Sequence, residues 1–232
     1  EEQLQRLQTD YIDFYLLHAV NKEKWDAMKE LGVVEYCAKL KEEGKIRYYG
    51  FSFHDDYEVF DEILHYRDWD FCQIQYNYMD TQEQAGDKGY ALAESLGVPL
   101  VIMEPIKGGS LANFSEDIND RFHKMDPDRS VASYALRWVG SHPNVKVILS
   151  GMSTMDQVED NLKTFQDFSP LSEAEEKEIE SIVTELRSRV QNGCTGCRYC
   201  MPCPMGVDIP DNFSIWNKLG MFGNKDAIRQ QW

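Results

Sequence analysis

The chain has 232 residues and 42% of them are hydrophobic, so it can bury a core as one large domain or as two small ones. Its formal net charge of -16 argues against nucleic acid as a partner, because a phosphate backbone requires basic counter-charge. The charge also opposes attraction to an anionic membrane surface, and no apolar run reaches the roughly 18 residues of a membrane-spanning helix. No basic-then-apolar leader stands at the start, so we expect a cytoplasmic protein.

Short apolar runs alternate with helical patterns along the first two thirds of the chain. Continuous apolar runs predict parallel strands that are covered on both faces, and their alternation with helices predicts βαβ units. The chain starts at Glu1 within what reads as the end of a helix, so we expect it to be part of a longer protein. The predicted strands span residues 11–17, 45–52, 71–76, 99–103 and 145–149, and the predicted helices span 33–43, 56–66, 88–96 and 126–139.

Two later helices have local start signals. Thr154 with Gln157, and Ser172 with Glu175, have the spacing of a capping box, in which two side chains satisfy the free N–H groups of the first turn. The helix after Thr154 carries Val158, Leu162 and Phe165 on one apolar face, and the helix after Ser172 carries an apolar face that fits the helical period.

Ligands of parallel α/β folds gather where the strands end. This rule selects His18 and the stretches 52–54, 73–77, 103–109 and 150–152. The Gly-Gly turn after Lys107 could offer backbone N–H groups and a cation to a phosphate, although such a turn more often only reverses the chain.

Four of the six cysteines lie in one run near the end of the chain, each separated from the next by two residues: Cys194, Cys197, Cys200 and Cys203. A continuous series of this kind, ending in Cys-Pro, is typical of a [4Fe–4S] cluster. Zinc is the second interpretation, although four-thiolate zinc sites are usually built from two separated knuckles. A disulfide pair is the third, and the absence of secretory features disfavours it.

Five sequence motifs, in this order, resemble the second half of the aldo-keto reductase family. They are L-L-H at 16–18, G-K-I-R-Y-Y-G-F-S at 44–52, Q-I-Q-Y-N at 73–77, M-E-P-I-K-G-G at 103–109 and S-G-M-S-T-M-D-Q-V-E-D-N at 150–161. The cysteine run is similar to that of a subgroup with a C-terminal iron–sulfur segment. The resemblance covers nearly the whole chain.

The resemblance implies an α/β fold that contains about strands 4 to 8 of a (β/α)8 TIM barrel. The barrel part would span residues 1–170, a linking amphipathic helix 171–190, and a ferredoxin-like, cysteine-rich helical segment 191–232. Of the family's catalytic Asp, Tyr, Lys and His, only the His has a counterpart, His18, which would orient the substrate carbonyl. The other three would belong to strands before residue 1.

The same resemblance implies an extended site for NAD(P). Ser52 and Gln73 match residues that bind the nicotinamide carboxamide, and Met103 falls where many members stack an aromatic ring. Family members that prefer NADP often carry Lys and Arg near Gly151 and Gln157, and this chain does not. The remaining matched positions are Pro105, Ile106 and Gly109 at the pyrophosphate, and Gly151, Gln157 and Asn161 at the adenosine end.

The sequence therefore predicts an NAD(P)-dependent oxidoreductase of small carbonyls or alcohols that carries a [4Fe–4S] cluster and is inactive as this chain alone. An electron-transfer or cluster-binding module without reductase activity is the alternative, and a redox protein is then a candidate partner. A zinc-stapled protein that is not an enzyme is the third hypothesis.

Overall fold

The computed structural model describes residues 1–223 and 225–229, and it divides into two compact units. The first unit contains residues 1–105 and 142–151, and the second contains 106–141 and 152–232. Within the described part of the chain, no helix has both the length and the apolar composition required to cross a membrane. The domain boundaries expected from the sequence stay a prediction, and residues 224 and 230–232 of the last expected segment lie outside the described residues.

The first unit is built on a five-stranded parallel sheet whose strands follow one another in chain order. This confirms the predicted parallel α/β architecture, which matches part of a TIM barrel. The strands are β1 Ile12–Val20, β2 Ile46–Phe53, β3 Phe71–Gln75, β4 Leu100–Met103 and β5 Val145–Ile148, and the helices of this unit are α1 Glu2–Leu7, α2 Lys22–Glu30, α3 Val33–Glu42, α4 Tyr57–Tyr66 and α5 Gly86–Ser95.

Aromatic side chains fill the space between the middle strands and the helices of the first unit. Phe51 contacts both Trp69 and Phe60, with ring centroids 4.8 and 6.0 Å apart, and Tyr49 contacts Trp69 at 5.1 Å. All four rings are at most 5% exposed. Burying each side chain of this size contributes about 2 kcal/mol, so this cluster fixes the helices against the sheet.

Burial of the strands on both faces, as expected from the sequence, holds for β3 and β4 and for most of β2, but not for β1 and β5. Phe14 on β1 is 64% exposed, Tyr48 on β2 is 47% exposed and Val147 on β5 is 48% exposed. Among the described residues, β1 and β5 each pair on one side only, so both edges of the sheet remain open.

The second unit is helical. Phe122 packs on Phe114 and on Tyr134. The helix that follows Ser172 buries four apolar residues, as its predicted period requires: Ile179, Ile182, Val183 and Leu186. Its helices are α6 Glu116–Met125, α7 Val131–Gly140, α8 Met155–Gln166, α9 Glu173–Ser188, α10 Ile209–Phe222 and α11 Lys225–Arg229, with a 3-10 turn at Lys107–Gly109.

Both predicted capping boxes are confirmed at the starts of α8 and α9. Two other expectations were wrong. Helix α7 starts after the N-cap Ser130, because Asp126 instead accepts a hydrogen bond from the N–H of Asp128 and holds a turn. On α8, Leu162 is 63% exposed, so the apolar face predicted for this helix is not buried along its length.

Candidate functional site

The carboxyl ends of the parallel strands bring several of the predicted residues to one edge of the sheet. Ser52 lies near the end of β2 and is paired in register with Gln73 of β3. The amide of Gln73 contacts the sulfur of Met103, at the end of β4, with Nε2 and Sδ 3.4 Å apart. Three neighbouring strands therefore present these three side chains in a continuous row, in which only Ser52 is fully buried.

His18 lies within β1, and not after its end as the sequence suggested. The register of β1 against β2 shifts between Leu17 and Val20, where three steps of β1 oppose two of β2. This is a β-bulge, a feature that redirects a side chain at the rim of a sheet. The imidazole of His18 is exposed, while Leu17 and Val20 on either side of the bulge are buried.

The bulge also connects His18 to the row of cofactor candidates. Ala19 adopts a left-handed backbone conformation with φ of 50°, which a residue with a Cβ rarely does. Its N–H donates a hydrogen bond of 2.7 Å to Oγ of Ser52. The sequence alone contained no signal for this contact, because its two partners are 33 residues apart.

The predicted pyrophosphate and adenosine residues are divided between the two units. Pro105, which is buried, and Gly151, which is exposed, belong to the first unit, whereas Ile106, Gly109, Gln157 and Asn161 belong to the second. The structure thus brings Ser52, Gln73 and Met103 together within the first unit, and their contact with nicotinamide stays a prediction, as does the rest of the expected site.

The turn after Lys107 uses its N–H groups internally. The N–H of Gly109 donates to the carbonyl of Ile106 at 3.0 Å, and that of Ser110 donates to the carbonyl of Lys107 at 3.1 Å. The left-handed φ of 91° at Gly109 requires glycine. A phosphate at this turn would therefore compete with existing backbone hydrogen bonds at those two positions.

The side chain of Gln157 takes part in the capping box of α8. Its Oε1 accepts hydrogen bonds from the N–H groups of Ser153 at 2.7 Å and Thr154 at 3.3 Å. Asn161 follows four residues later, one helical turn along the same face. Gln157 thus has a structural role that is independent of any ligand, and its contact with adenosine stays a prediction.

The four cysteines of the C-terminal run are unpaired thiols, exposed at Cys194, Cys197 and Cys200 and partly buried at Cys203. Hydrogen bonds from the N–H of Tyr199 and the hydroxyl of Thr195 lower the pKa of the Cys197 thiol, which favours the thiolate that binds metal. The donor set thus has the chemistry of a soft-metal site. Across the described residues, however, no three His, Cys, Asp or Glu side chains are arranged to hold a metal ion.

The segment that precedes these cysteines is fixed by an asparagine clamp. Oδ1 of Asn217, on α10, accepts hydrogen bonds from the N–H groups of Gln191 at 3.0 Å and Asn192 at 2.8 Å, while its Nδ2 donates to the carbonyl of Asn192 at 2.7 Å. Beyond the first cysteines, Arg198 pairs with Asp208 at 2.9 Å. The loop is thus attached to α10 at two places, and neither attachment involves a thiol.

A parallel α/β sheet with polar side chains in a row at the carboxyl ends of its strands defines a ligand-binding α/β protein of barrel type. Residues 1–184 match the aldo/keto reductase family, so the chain belongs to that family.

Individual relatives agree with this assignment. The uncharacterized oxidoreductase YqkF of Bacillus subtilis is 27% identical over 78% of this chain and 63% of its own length. The NADH-specific methylglyoxal reductase of Escherichia coli is 26% identical over 68% of this chain and 56% of its own length. The apo structure of aldo-keto reductase AKR11C1 from Bacillus halodurans superposes with a TM-score of 0.64 and 29% identity, covering 78% of this chain and 65% of that chain. This chain therefore spans somewhat under two thirds of the length of these relatives.

Proposed function

We propose that this chain forms the nicotinamide-facing part of an NAD(P)-dependent aldo-keto reductase that acts on small carbonyl or alcohol substrates. The observation that carries the proposal is the row of Ser52, Gln73 and Met103 across three neighbouring strands, joined to the His18 bulge through Ala19. A hydride carrier bound along this row would lie beside the imidazole. Membership of the aldo/keto reductase family supports the same activity.

The side chains of the row suit the carboxamide and the ring of nicotinamide. The hydroxyl of Ser52 accepts a hydrogen bond from Ala19 and retains its own proton, which it can donate to a carboxamide oxygen. Gln73 offers both an amide donor and an acceptor, and the thioether of Met103 can pack against a ring face. His18 would donate a hydrogen bond to the substrate oxygen, where negative charge develops during reduction. The bound nicotinamide would supply the hydride.

Binding of the dinucleotide can be tested directly on this chain. Titration of NADH against the 232-residue protein, followed by the fluorescence of bound NADH, is expected to give a saturable signal. Gln73→Ala should weaken binding about tenfold, as expected for the loss of a half-buried polar contact. Gln5→Ala, an exposed residue on α1, is the matched control and should leave binding unchanged. No saturable binding by the wild-type chain would overturn the proposal.

We also propose that these residues alone do not turn over a carbonyl substrate. Of the family's four catalytic side chains, only His18 has a counterpart here, and no tyrosine of the chain matches the proton donor. NADH oxidation that depends on methylglyoxal, measured with this chain at saturating NADH, is expected to stay at the buffer rate. A rate above buffer that disappears in His18→Ala would contradict this expectation.

The charge pattern favours NADH over NADPH. Residues 150–162 contain three carboxylates, Asp156, Glu159 and Asp160, and no Lys or Arg. A 2′-phosphate placed near Gln157 would meet these carboxylates without a cation to pair with. We expect NADH to bind more tightly, and the variant Gln157→Arg to narrow the difference. Equal affinities for both dinucleotides in the wild-type chain would refute this preference.

The substrate class follows from the same assignment. The Escherichia coli relative is named for methylglyoxal, a small dicarbonyl, and for NADH. We propose a small carbonyl compound as the substrate of the protein to which these residues belong, in the cytoplasm. The reductase is favoured over an electron-transfer module because the family match covers residues 1–184, which include the whole sheet.

The cysteine run is proposed to bind a [4Fe–4S] cluster through Cys194, Cys197, Cys200 and Cys203. Support comes from the spacing of the thiols, the lowered pKa of the Cys197 thiol, and the loop's attachment through Asn192 and Arg198. When bound, such a cluster supplies a redox centre or a structural crosslink. Anaerobic reconstitution with iron and sulfide should give visible charge-transfer absorbance and about four iron atoms per chain. Binding of one zinc ion and no iron would establish the zinc alternative instead.

A further inference from the structure

We infer that Ser52 and Lys24 hold the left-handed bulge at Ala19 and thereby fix the direction of the His18 imidazole. Both are positioning residues, because they act on His18 through the backbone of Ala19. The inference rests on the proposed role of His18 in carbonyl reduction, and it assigns Lys24 a function that its sequence context does not suggest.

A bulge interrupts the ladder of hydrogen bonds and leaves backbone groups to be satisfied by other partners. At Ala19 both groups find side chains. The N–H donates to Oγ of Ser52 at 2.7 Å, and the carbonyl accepts a hydrogen bond of 3.0 Å from Nζ of Lys24. The backbone of Ala19 is therefore held by hydrogen bonds to a side chain of the neighbouring strand on one side and to a side chain of α2 on the other.

The Ser52 side chain and the Lys24 backbone are each fixed in place. Ser52 is 1% exposed and is paired in register with Gln73 of β3, so its hydroxyl has little freedom. Lys24 belongs to the first turn of α2, whose N-cap Asn21 accepts a hydrogen bond of 2.9 Å from the N–H of Lys24. Because that helix starts immediately after β1, the lysine side chain can reach back to Ala19.

The ends of the bulge are anchored by burial. Leu17 is 4% exposed and Val20 is 0% exposed, and the carbonyl of Val20 accepts a hydrogen bond of 2.9 Å from the N–H of His54. With both ends fixed and Ala19 gripped between them, His18 is the residue whose side chain faces outward. The imidazole direction thus depends on two side-chain contacts.

Ser52 carries a second consequence. The hydroxyl that accepts from Ala19 is the same hydroxyl proposed to donate to the nicotinamide carboxamide. A ligand that binds its proton will polarise the oxygen and alter its bond to Ala19. We therefore expect occupation of the dinucleotide site to be detected at the backbone next to His18.

The test uses the 232-residue chain and measures hydrogen exchange of the Ala19 amide together with the ring resonances of His18. Ser52→Ala should speed amide exchange about tenfold and Lys24→Met about threefold, because each removes one hydrogen bond from the bulge. Both should shift or broaden the His18 ring signals. Lys24→Arg, which keeps a cationic donor, should restore most of the wild-type pattern.

Lys22→Met is the matched control. It removes the same charge from the same turn of α2, but its Nζ contacts Asp26 and Glu62 and not Ala19. In this variant the exchange rate of the Ala19 amide should stay within about twofold of wild type, and the His18 ring resonances should not shift or broaden. If Ser52→Ala does not fold, the exposed Lys24 decides the question. Wild-type exchange and ring signals in Lys24→Met would overturn the inference.

NADH affinity, measured on the same samples, separates this inference from the proposed function. Failure of the wild-type chain to bind NADH, with the exchange pattern as expected, would refute the function and leave the positioning of His18 intact. Normal NADH binding by the wild-type chain, with unchanged amide exchange in the variants, would refute the positioning of His18 and leave the proposed function intact.

Discussion

Arg137 on α7 is a buried charge of the second unit whose guanidinium has several partners. Its side chain is 3% exposed, and it donates to both oxygens of Glu175 at 2.6 and 3.2 Å and to the carbonyls of Ser169 and Pro170. Guanidinium provides a rigid fork of donors that suits this arrangement. Removal of one member of such a pair leaves the other partly buried without compensation.

Replacing this arginine should therefore be costly. Arg137→Met is expected to lower the free energy of unfolding by about 3 kcal/mol, because it strands the carboxylate of Glu175 and two carbonyls. Urea unfolding followed by circular dichroism measures the loss. Arg6→Met is the control, since Arg6 forms a pair with Glu2 in which both side chains are more than three quarters exposed, and it should change stability by under about 0.5 kcal/mol. Equal losses for the two variants would contradict this account.

Glu175 also predicts how stability changes in acid. Partial burial acts to raise its pKa, but the hydrogen bonds from Arg137 and from both the N–H and hydroxyl of Ser172 outweigh burial and lower the pKa from 4.5 to about 2. A carboxyl with a depressed folded-state pKa contributes stability that is fully present above its unfolded value. That contribution is lost as the pH falls from about 4.5 towards 2.

The free energy of unfolding should therefore drop over that pH range, and Glu175→Gln should flatten the drop. Urea midpoints at pH 6, 4 and 3 measure it. Lys29 and Lys22 likewise lower the pKa of Glu62 to about 2, but its side chain is 39% exposed, so solvent screens its pairs. Glu62→Gln should consequently flatten the curve less. If Glu62→Gln flattened the curve more than Glu175→Gln, burial would not decide how much each carboxylate contributes to stability.

At the scale of helices and strands, the sequence predicted best what is determined locally. Four strands were found within one residue of their bounds, because each is a short apolar run with a turn signal beside it, whereas β1 ends three residues later than predicted. The capping boxes at Thr154 and Ser172 were found for the same reason. Gly44 and Gly97, which follow α3 and α5, have left-handed φ of 76° and 69°, as the residue that ends a helix commonly does.

Features that depend on distant partners were not predictable. The start of α7 was misplaced because both Asp126-Pro127 and Ser130 are plausible caps, and the choice depends on Ser130 donating to Asp160, 30 residues away. Helix α2 was missed, since Trp25 is its only buried residue and its pattern is therefore weak. The bulge that directs His18 depends on Ser52. Long-range side-chain contacts decided the bulge and the start of α7, whereas a weak local pattern hid α2.

Gly220 on α10 tests how the cysteine loop is attached. A Cβ at this position would lie 2.6 Å from the carbonyl oxygen of Arg189 and 3.2 Å from Cγ of Gln191. Alanine is favoured over glycine within a helix by about 1 kcal/mol, but a clash with backbone cannot be relieved by a side-chain rotation. We therefore expect the clash to outweigh the gain in helix propensity, so that Gly220→Ala destabilises the packing of α10.

We therefore expect Gly220→Ala to separate α10 from the segment of Arg189 to Asn192 and to weaken the Asn217 clamp. The reaction of the exposed thiols with a disulfide reagent should change rate, and trypsin should cut after Arg189 faster. Ser214→Ala, an exposed position of the same helix, supplies the control. A gain in stability from Gly220→Ala, with unchanged thiol rates, would mean that the helix does not pack on this segment.

For the whole molecule, exposed sheet surface and charge act against each other. Phe14 stacks on Tyr48 with centroids 4.9 Å apart, and the two are 64% and 47% exposed near the edge of β1 that is unpaired among the described residues. Open edges and exposed apolar rings favour association with another chain. The net charge of -16 opposes this association by repulsion. Salt weakens the repulsion, because the Debye screening length falls from about 10 Å at 0.1 M to about 3 Å at 1 M.

Association of this chain should therefore increase with salt, which light scattering coupled to size-exclusion chromatography can follow between 0.1 and 1 M sodium chloride. Phe14→Asp places a charge on the stacked pair and should suppress the high-salt species. Leu31→Asp adds the same charge at a side chain that is 78% exposed and lies outside the strands, so it should suppress association less. If both variants behave alike, net charge alone controls association. If the wild-type mass is constant across the salt range, the open strand β1 is not a surface on which these chains meet.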